Sequence, residues 1–219
     1  MKKKKIYVLL SASTPGQMGG ATEIEVTNCE KCGRRLNENL KQLGYEFDFW
    51  SGEDFIHLTP YYIVSERLKM ALEVENLTGY STKKVVVDTE EYFEIDEDAY
   101  SKTLPDFYYL DIQGQAKEEP VWYTVEKYDE CDMCAGEVST YIPEILDKID
   151  RVVLFKKKED LLAIPKRKIY YDSWQGQDVF FADNEKRREP IITEDFLRVL
   201  KKVNKDFMDE VIVLEAEWI

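Results

Sequence analysis

The chain has 219 residues, of which 44% are hydrophobic and 13% aromatic, so it can bury a real core and is not a disordered chain. Its 30 basic and 44 acidic side chains leave a formal net charge of −14, which repels phosphate backbones, argues against a nucleic-acid partner and suits a basic protein. A single histidine, His57, removes most histidine-based catalytic designs.

The opening MKKKKIYVLLSAS carries four lysines in the manner of a secretory leader. Its apolar run, Ile6 to Leu10, is shorter than the ~7–15 residues such a leader needs, so Lys5–Ser11 reads as an edge-to-core β-strand. GQMGG at Gly16 lacks the spacing and lysine of a phosphate-binding loop and reads as a hairpin loop. Further β-rich runs follow at Tyr45–Trp50, Lys84–Asp88, Asp106–Gln113, Val121–Lys127, Arg151–Phe155, Lys168–Asp172, Asp178–Ala182 and Glu210–Glu217, and His57 falls on a strand or strand end. Helices are expected over Ser65–Glu75 and Thr193–Asn204, each opened by a hydroxyl residue followed by an acid, with a short one over Pro143–Lys148. No run reaches the ~20 apolar residues of a membrane span, so no membrane partner is expected and the cytoplasm, where thiols stay reduced, is the expected location.

These elements predict an α+β fold with mixed and antiparallel sheets and two to three helices. One domain over 1–219 is expected, with a weaker division into pseudo-repeated halves, 1–115 and 116–219. The division rests on a recurring order: a C-x-x-C pair, W-x-G-x-D (WSGED at Trp50, WQGQD at Trp174), a capped helix, a β-rich run. The spacing is unequal, since 17 residues separate Cys32 from Trp50 and 39 separate Cys134 from Trp174.

The four cysteines form the pairs CEKCG (Cys29, Cys32) and CDMCAG (Cys131, Cys134). Two thiolates three residues apart can grip one metal ion from a tight turn, and a glycine just after lets backbone amides face the sulfurs. Gly33 fits that role; the second pair has Ala135 there, with Gly136 one later. Bringing both pairs together makes one four-cysteine zinc site, a clasp between distant parts of the chain. The 98 residues between Cys32 and Cys131 exceed the ~15–20 of a compact zinc ribbon. The longer loop costs only about 1.5 kcal/mol more to close, against on the order of 10 kcal/mol from a structural zinc. On this reading Cys29→Ser or Cys131→Ser unfolds the protein. Three alternatives stay open: thiol-redox chemistry, two separate metal sites, and metal-free pairs. No Ser-His-Asp set, nucleophile elbow, Walker A or dinucleotide fingerprint is present, so a non-enzymatic protein is expected.

Asp88 to Tyr100 interleaves acids with aromatics. Glu90, Glu91, Tyr92, Glu94, Asp96, Glu97 and Asp98 are candidates for a partner surface, where charge steers a basic protein and the ring anchors it. The competing expectation is that the aromatics pack inward at strand spacing. The basic clusters Lys156–Lys158, Lys166–Lys168 and Lys186–Arg188 read as solvated turns.

On CEKCG, CDMCAG and the closing segment GQDVFF, IITEDFLRVL and a last strand, the chain resembles the bacterial double-CxxCG proteins, several of which are immunity proteins against polymorphic or contact-delivered toxins. The middle of the chain is not covered, and Ala135 departs from the motif. The resemblance implies a cytoplasmic, non-enzymatic inhibitor of a cognate toxin, with one structural Zn2+ on Cys29, Cys32, Cys131 and Cys134. A zinc-stabilised adaptor or regulatory protein is the alternative.

Overall fold

The computed structural model describes residues 3–11, 14–128, 130–155, 158–182, 189–204 and 211–219. Its first elements are β1 (Ile6–Ser11), β2 (Gly16–Met18), β3 (Glu23–Asn28), β4 (Arg35–Gln42), β5 (Gly44–Trp50), β6 (Phe55–Leu58), β7 (Tyr61–Ser65) and α1 (Glu66–Val74). Then come β8 (Tyr80–Lys84), β9 (Val86–Ile95), β10 (Phe107–Ile112), β11 (Gln115–Ala116), β12 (Glu118–Glu119), β13 (Tyr123–Tyr128) and β14 (Gly136–Tyr141). The rest are α2 (Pro143–Phe155), β15 (Lys168–Ile169), β16 (Val179–Ala182), β17 (Ile191–Thr193), α3 (Glu194–Val203) and β18 (Ile212–Trp218), with 3-10 turns at Lys158–Ala163 and Tyr171–Ser173. The fold is α+β. A sheet ordered β11-β16-β17-β1-β18-β15-β12 and one ordered β6-β7-β10-β8 form the body. A third, β2-β5-β9, flanks it, and two hairpins, β3-β4 and β13-β14, stand as separate two-stranded sheets.

The two W-x-G-x-D segments fold alike. In each, the indole N–H donates to the backbone carbonyl three residues on: Trp50 Nε1 to Glu53 O at 3.1 Å, Trp174 Nε1 to Gln177 O at 2.8 Å. The glycine takes positive φ, +104° at Gly52 and +93° at Gly176. In each, the aspartate then accepts from the hydroxyl that caps the following helix, Ser65 to Asp54 and Thr193 to Asp178. A hairpin follows each turn (β6-β7, β16-β17), then the helix, then a further strand (β8, β18). The strand lying between hairpin and last strand differs in origin. It is β10, which comes after β8, in one case, and β1, from the start of the chain, in the other, yet the register is the same: Phe107 faces the cap Ser65 and Ile6 faces the cap Thr193. The N-terminal strand therefore completes the C-terminal unit and sits at the centre of the largest sheet, not at an edge. Helices α1 and α3 pack on each other, and their inward residues Leu68, Leu72, Phe196, Val199 and Leu200 share one core with strands of both units.

Several local expectations are corrected. Arg151–Phe155 is not a strand but the last turns of α2, because Ile145, Ile149 and Val152 recur at helical spacing and lie buried on one face. Gly16–Met18 is a strand paired with β5, since a side chain at Gly16 would meet Glu46 O at 2.1 Å. Lys84–Asp88 spans the junction of β8 and β9, and only Lys168–Ile169 of its run is extended. The hairpin β3-β4 is not among the expected strands, although β3 alternates exposed acids with half-buried Ile24 and Val26, because neither strand buries one face fully. Lys156, Lys157 and residues 183–188 lie outside the described residues, as does Glu210.

The four hydrophobic clusters fill the body. The hairpins join them at their roots: Leu40 and Ile24 for β3-β4, Tyr123 and Tyr141 for β13-β14. No described residue of 25–39 or 124–140 belongs to any cluster, so both hairpins project as arms.

Candidate metal centre

Each C-x-x-C pair forms the tip of an arm. On the first arm Cys29 N–H donates to Arg34 O at 2.7 Å and Gly33 N–H to Cys29 O at 2.8 Å. Gly33 has φ +74°, the left-handed conformation that lets the chain turn back. On the second, Cys134 N–H donates to Cys131 O at 3.2 Å. The first turn is legible in sequence through its glycine and cysteines.

The tips meet. Cys29 Sγ lies 3.8 Å from Cys131 Sγ, Cys32 Sγ lies 3.4 Å from Cys134 Sγ, and all four sulfurs fall within 4.8 Å of one another. A tetrahedral ion with Zn–S bonds of about 2.3 Å needs sulfurs about 3.8 Å apart, so the donor set fits a four-thiolate ion after sulfur shifts of about 1 Å or less. Cys29 and Cys131 are buried, Cys32 is exposed and Cys134 is half-buried. Backbone amides of Cys32 and Lys31 pull the Cys29 thiol down to about 7. Desolvation, then hydrogen bonds shared with Cys32, Cys131 and Cys29, push Cys134 up to about 12. One sulfur is thus ready to ionise, drawn down by backbone amides, while another holds its proton chiefly because burial disfavours its charge. A divalent cation offsets the charge of the sulfurs, and loading it expels the remaining protons.

Two further contacts bridge the tips, and the sequence reading missed both. Lys31 Nζ sits 2.6 Å from Asp132 Oδ1, and the Arg34 guanidinium lies 3.8 Å over the Tyr128 ring. For the first, the signal was present as opposite charges inside the two C-x-x-C loops. Neither contact can hold the arms alone: a pair as exposed as Lys31–Asp132 (54% and 75%) contributes about 0–1 kcal/mol, whereas structural zinc in small peptides supplies on the order of 10 kcal/mol.

The second arm is rooted on a buried polar cluster. Arg167, fully buried, donates from Nε and Nη2 to the Glu118 carboxylate at 2.8 and 2.7 Å. It also lies beside the Trp122 and Tyr123 rings, and the Tyr141 hydroxyl donates to Glu189. His57 stacks on Tyr62 with ring centroids 4.6 Å apart, and burial lowers its pKa, opposed by the charge of Glu189.

The acidic candidates lie elsewhere, on β9 and the turn after it. Strand β9 pairs with β5 on one side and is the edge of its sheet. A register shift opposite Phe47–Phe49 bulges it near Tyr92, which is 84% exposed. Glu90, Glu91, Glu94, Asp96, Glu97 and Asp98 are exposed, and none forms an ion pair among the described residues. Phe93 and Ile95 instead pack against the core, and Tyr100 meets Trp50 edge-on with its ring under Arg67. No described helix is long and apolar enough to cross a membrane. No protein-family model matches the chain, and no curated protein does.

Proposed function

We propose that Cys29, Cys32, Cys131 and Cys134 hold one structural zinc ion, and that the chain is a non-enzymatic cytoplasmic immunity protein that binds and neutralises a basic toxin. The observation that carries the metal half is the convergence of all four sulfurs at two arm tips that have little else to hold them together. The toxin half rests on the double-CxxCG resemblance, and the −14 charge supports a basic partner. The acidic edge around Tyr92 is the surface best suited to it, because none of its carboxylates forms an ion pair among the described residues. Zinc, when bound, supplies a neutralising charge that fixes the four sulfurs; the residues of the arms supply the shape.

The test is native mass spectrometry of the protein from its own host, without chelator or reductant. One zinc per chain and a co-eluting basic protein are expected. A metal-free chain sinks the zinc assignment. Binding of the captured protein should weaken steeply with salt, and Tyr92→Ala with Glu91→Gln and Glu94→Gln should slow association without lowering stability. A salt-independent affinity would remove the electrostatic argument.

A further inference from the structure

We propose that the cysteine cluster is also a site of oxidative modification. A peroxide converts Cys32 and Cys134 into a disulfide that runs between the arms, ejects the metal and keeps the tips joined. The metal-ejection part rests on the zinc reading above; the cross-arm link rests on sulfur positions alone.

Exposure selects the first sulfur. Cys29 and Cys131 are 4% and 3% exposed, whereas Cys32 stands in solvent, so a diffusing oxidant meets Cys32 first. Distance selects the second. The Cys32 and Cys134 sulfurs are 3.4 Å apart, within reach of a bond after a small approach, and Cys134 is half-buried with access to that reaction. The Cys32 thiolate attacks one peroxide oxygen, giving a sulfenic acid and a hydroxide. The Cys134 thiolate then attacks the sulfenic sulfur, forming the S–S bond and releasing a second hydroxide. Two thiolates and one hydrogen peroxide thus become one disulfide and two hydroxides. The peroxide is reduced by the two electrons that the sulfurs lose. A zinc ion left with two thiolates loses half its ligand charge and dissociates.

The consequence separates this cluster from a C-x-x-C oxidoreductase, whose disulfide closes within one motif. Here the bond closes between residues far apart in sequence, so it replaces the metal as the cross-link between β3-β4 and β13-β14.

The chain sequence makes the linkage readable. Trypsin cleaves after Lys31, separating Cys29 from Cys32, and cleavage before Asp132 separates Cys131 from Cys134, so each cysteine ends on its own peptide. The full-length protein, as purified with its metal, is treated with graded hydrogen peroxide. A chromophoric chelator reports released zinc; free thiols are then alkylated in acid and the non-reduced peptides mapped. The expected result is the Cys32–Cys134 peptide pair rising in step with zinc release, about one ion per bridge. In addition, hydrogen exchange of residues 23–42 and 123–141 stays slow in the oxidised protein and becomes fast in chelated, reduced protein. A Cys29–Cys32 or Cys131–Cys134 linkage overturns the proposal, as does sulfinic acid formation with no bridge. If the protein carries no metal at the outset, the zinc assignment fails. The peptide map on that same sample still decides the cross-arm link.

Discussion

Replacing Cys131 by serine removes one buried ligand and with it the four-thiolate site. The sequence reading expects such a change to unfold the protein. The structure places the loss elsewhere. Cys131 belongs to none of the four hydrophobic clusters, and these hold the body together without any residue of the tips. An isolated two-stranded hairpin is marginal in water, so the arms lose their protection while the body keeps it. If only about 3 kcal/mol of the metal's on-the-order-of-10 kcal/mol is spent on closing the arms, arm amides exchange roughly 150-fold faster in the variant. Hydrogen exchange with mass spectrometry reads this directly. Peptides covering 25–39 and 124–140 should accelerate by at least that factor, and those covering β1, β7 and α3 should change less than about two-fold. Acceleration of the body by as much as the arms would refute the view of the arms as separately closed units. Unchanged arms would refute the metal clasp.

Zinc affinity should fall as pH falls. Loading must expel protons, the tightest from Cys134 at about 12, so added acid competes with the metal. Between pH 8 and pH 6 the dissociation constant should rise by roughly 100-fold or more, measured with a competing chelator, and a flat profile would contradict four-thiolate ligation. In the metal-free protein Cys29 has the opposite sense to Cys134. Its thiolate stabilises the tip above the ordinary value of 9.0, and that contribution is lost as pH falls through about 7. Glu118→Gln takes the nearer carboxylate from the buried Arg167 guanidinium, leaving Glu189 at 4.0 Å as a more distant countercharge, and should cost about 3 kcal/mol by chemical denaturation; a loss under about 1 kcal/mol would show the Glu118 pair to be dispensable. Asp178→Ala removes the acceptor for Lys4, Thr193 and both donors of Thr78, and should cost about 3 kcal/mol in the same assay, against near zero for the exposed Glu97→Ala.

The fold class and the positions of α1 and α3 were legible because each helix carries a capping hydroxyl, an early acid and an apolar stripe, all local features, whereas α2 was legible only in its first turns. The likeness of WSGED and WQGQD was legible too, since the indole bond and the positive-φ glycine close within five residues. The four residues that cluster could be read from the cysteine spacing, as the chain offers no other thiols. Beyond the cysteines, what stayed hidden was what depends on a partner distant in sequence. The strand between hairpin and last strand comes from β10 in one unit and from β1 in the other, and no local pattern records which. Glu118 becomes a buried partner only because Arg167 is folded beside it. That the sulfurs meet at the ends of projecting arms, and not inside a core, also needed the fold. A residue's type fixes the bonds it can make, but its burial and its neighbours are set by chain segments far away, and those decide which of the bonds form.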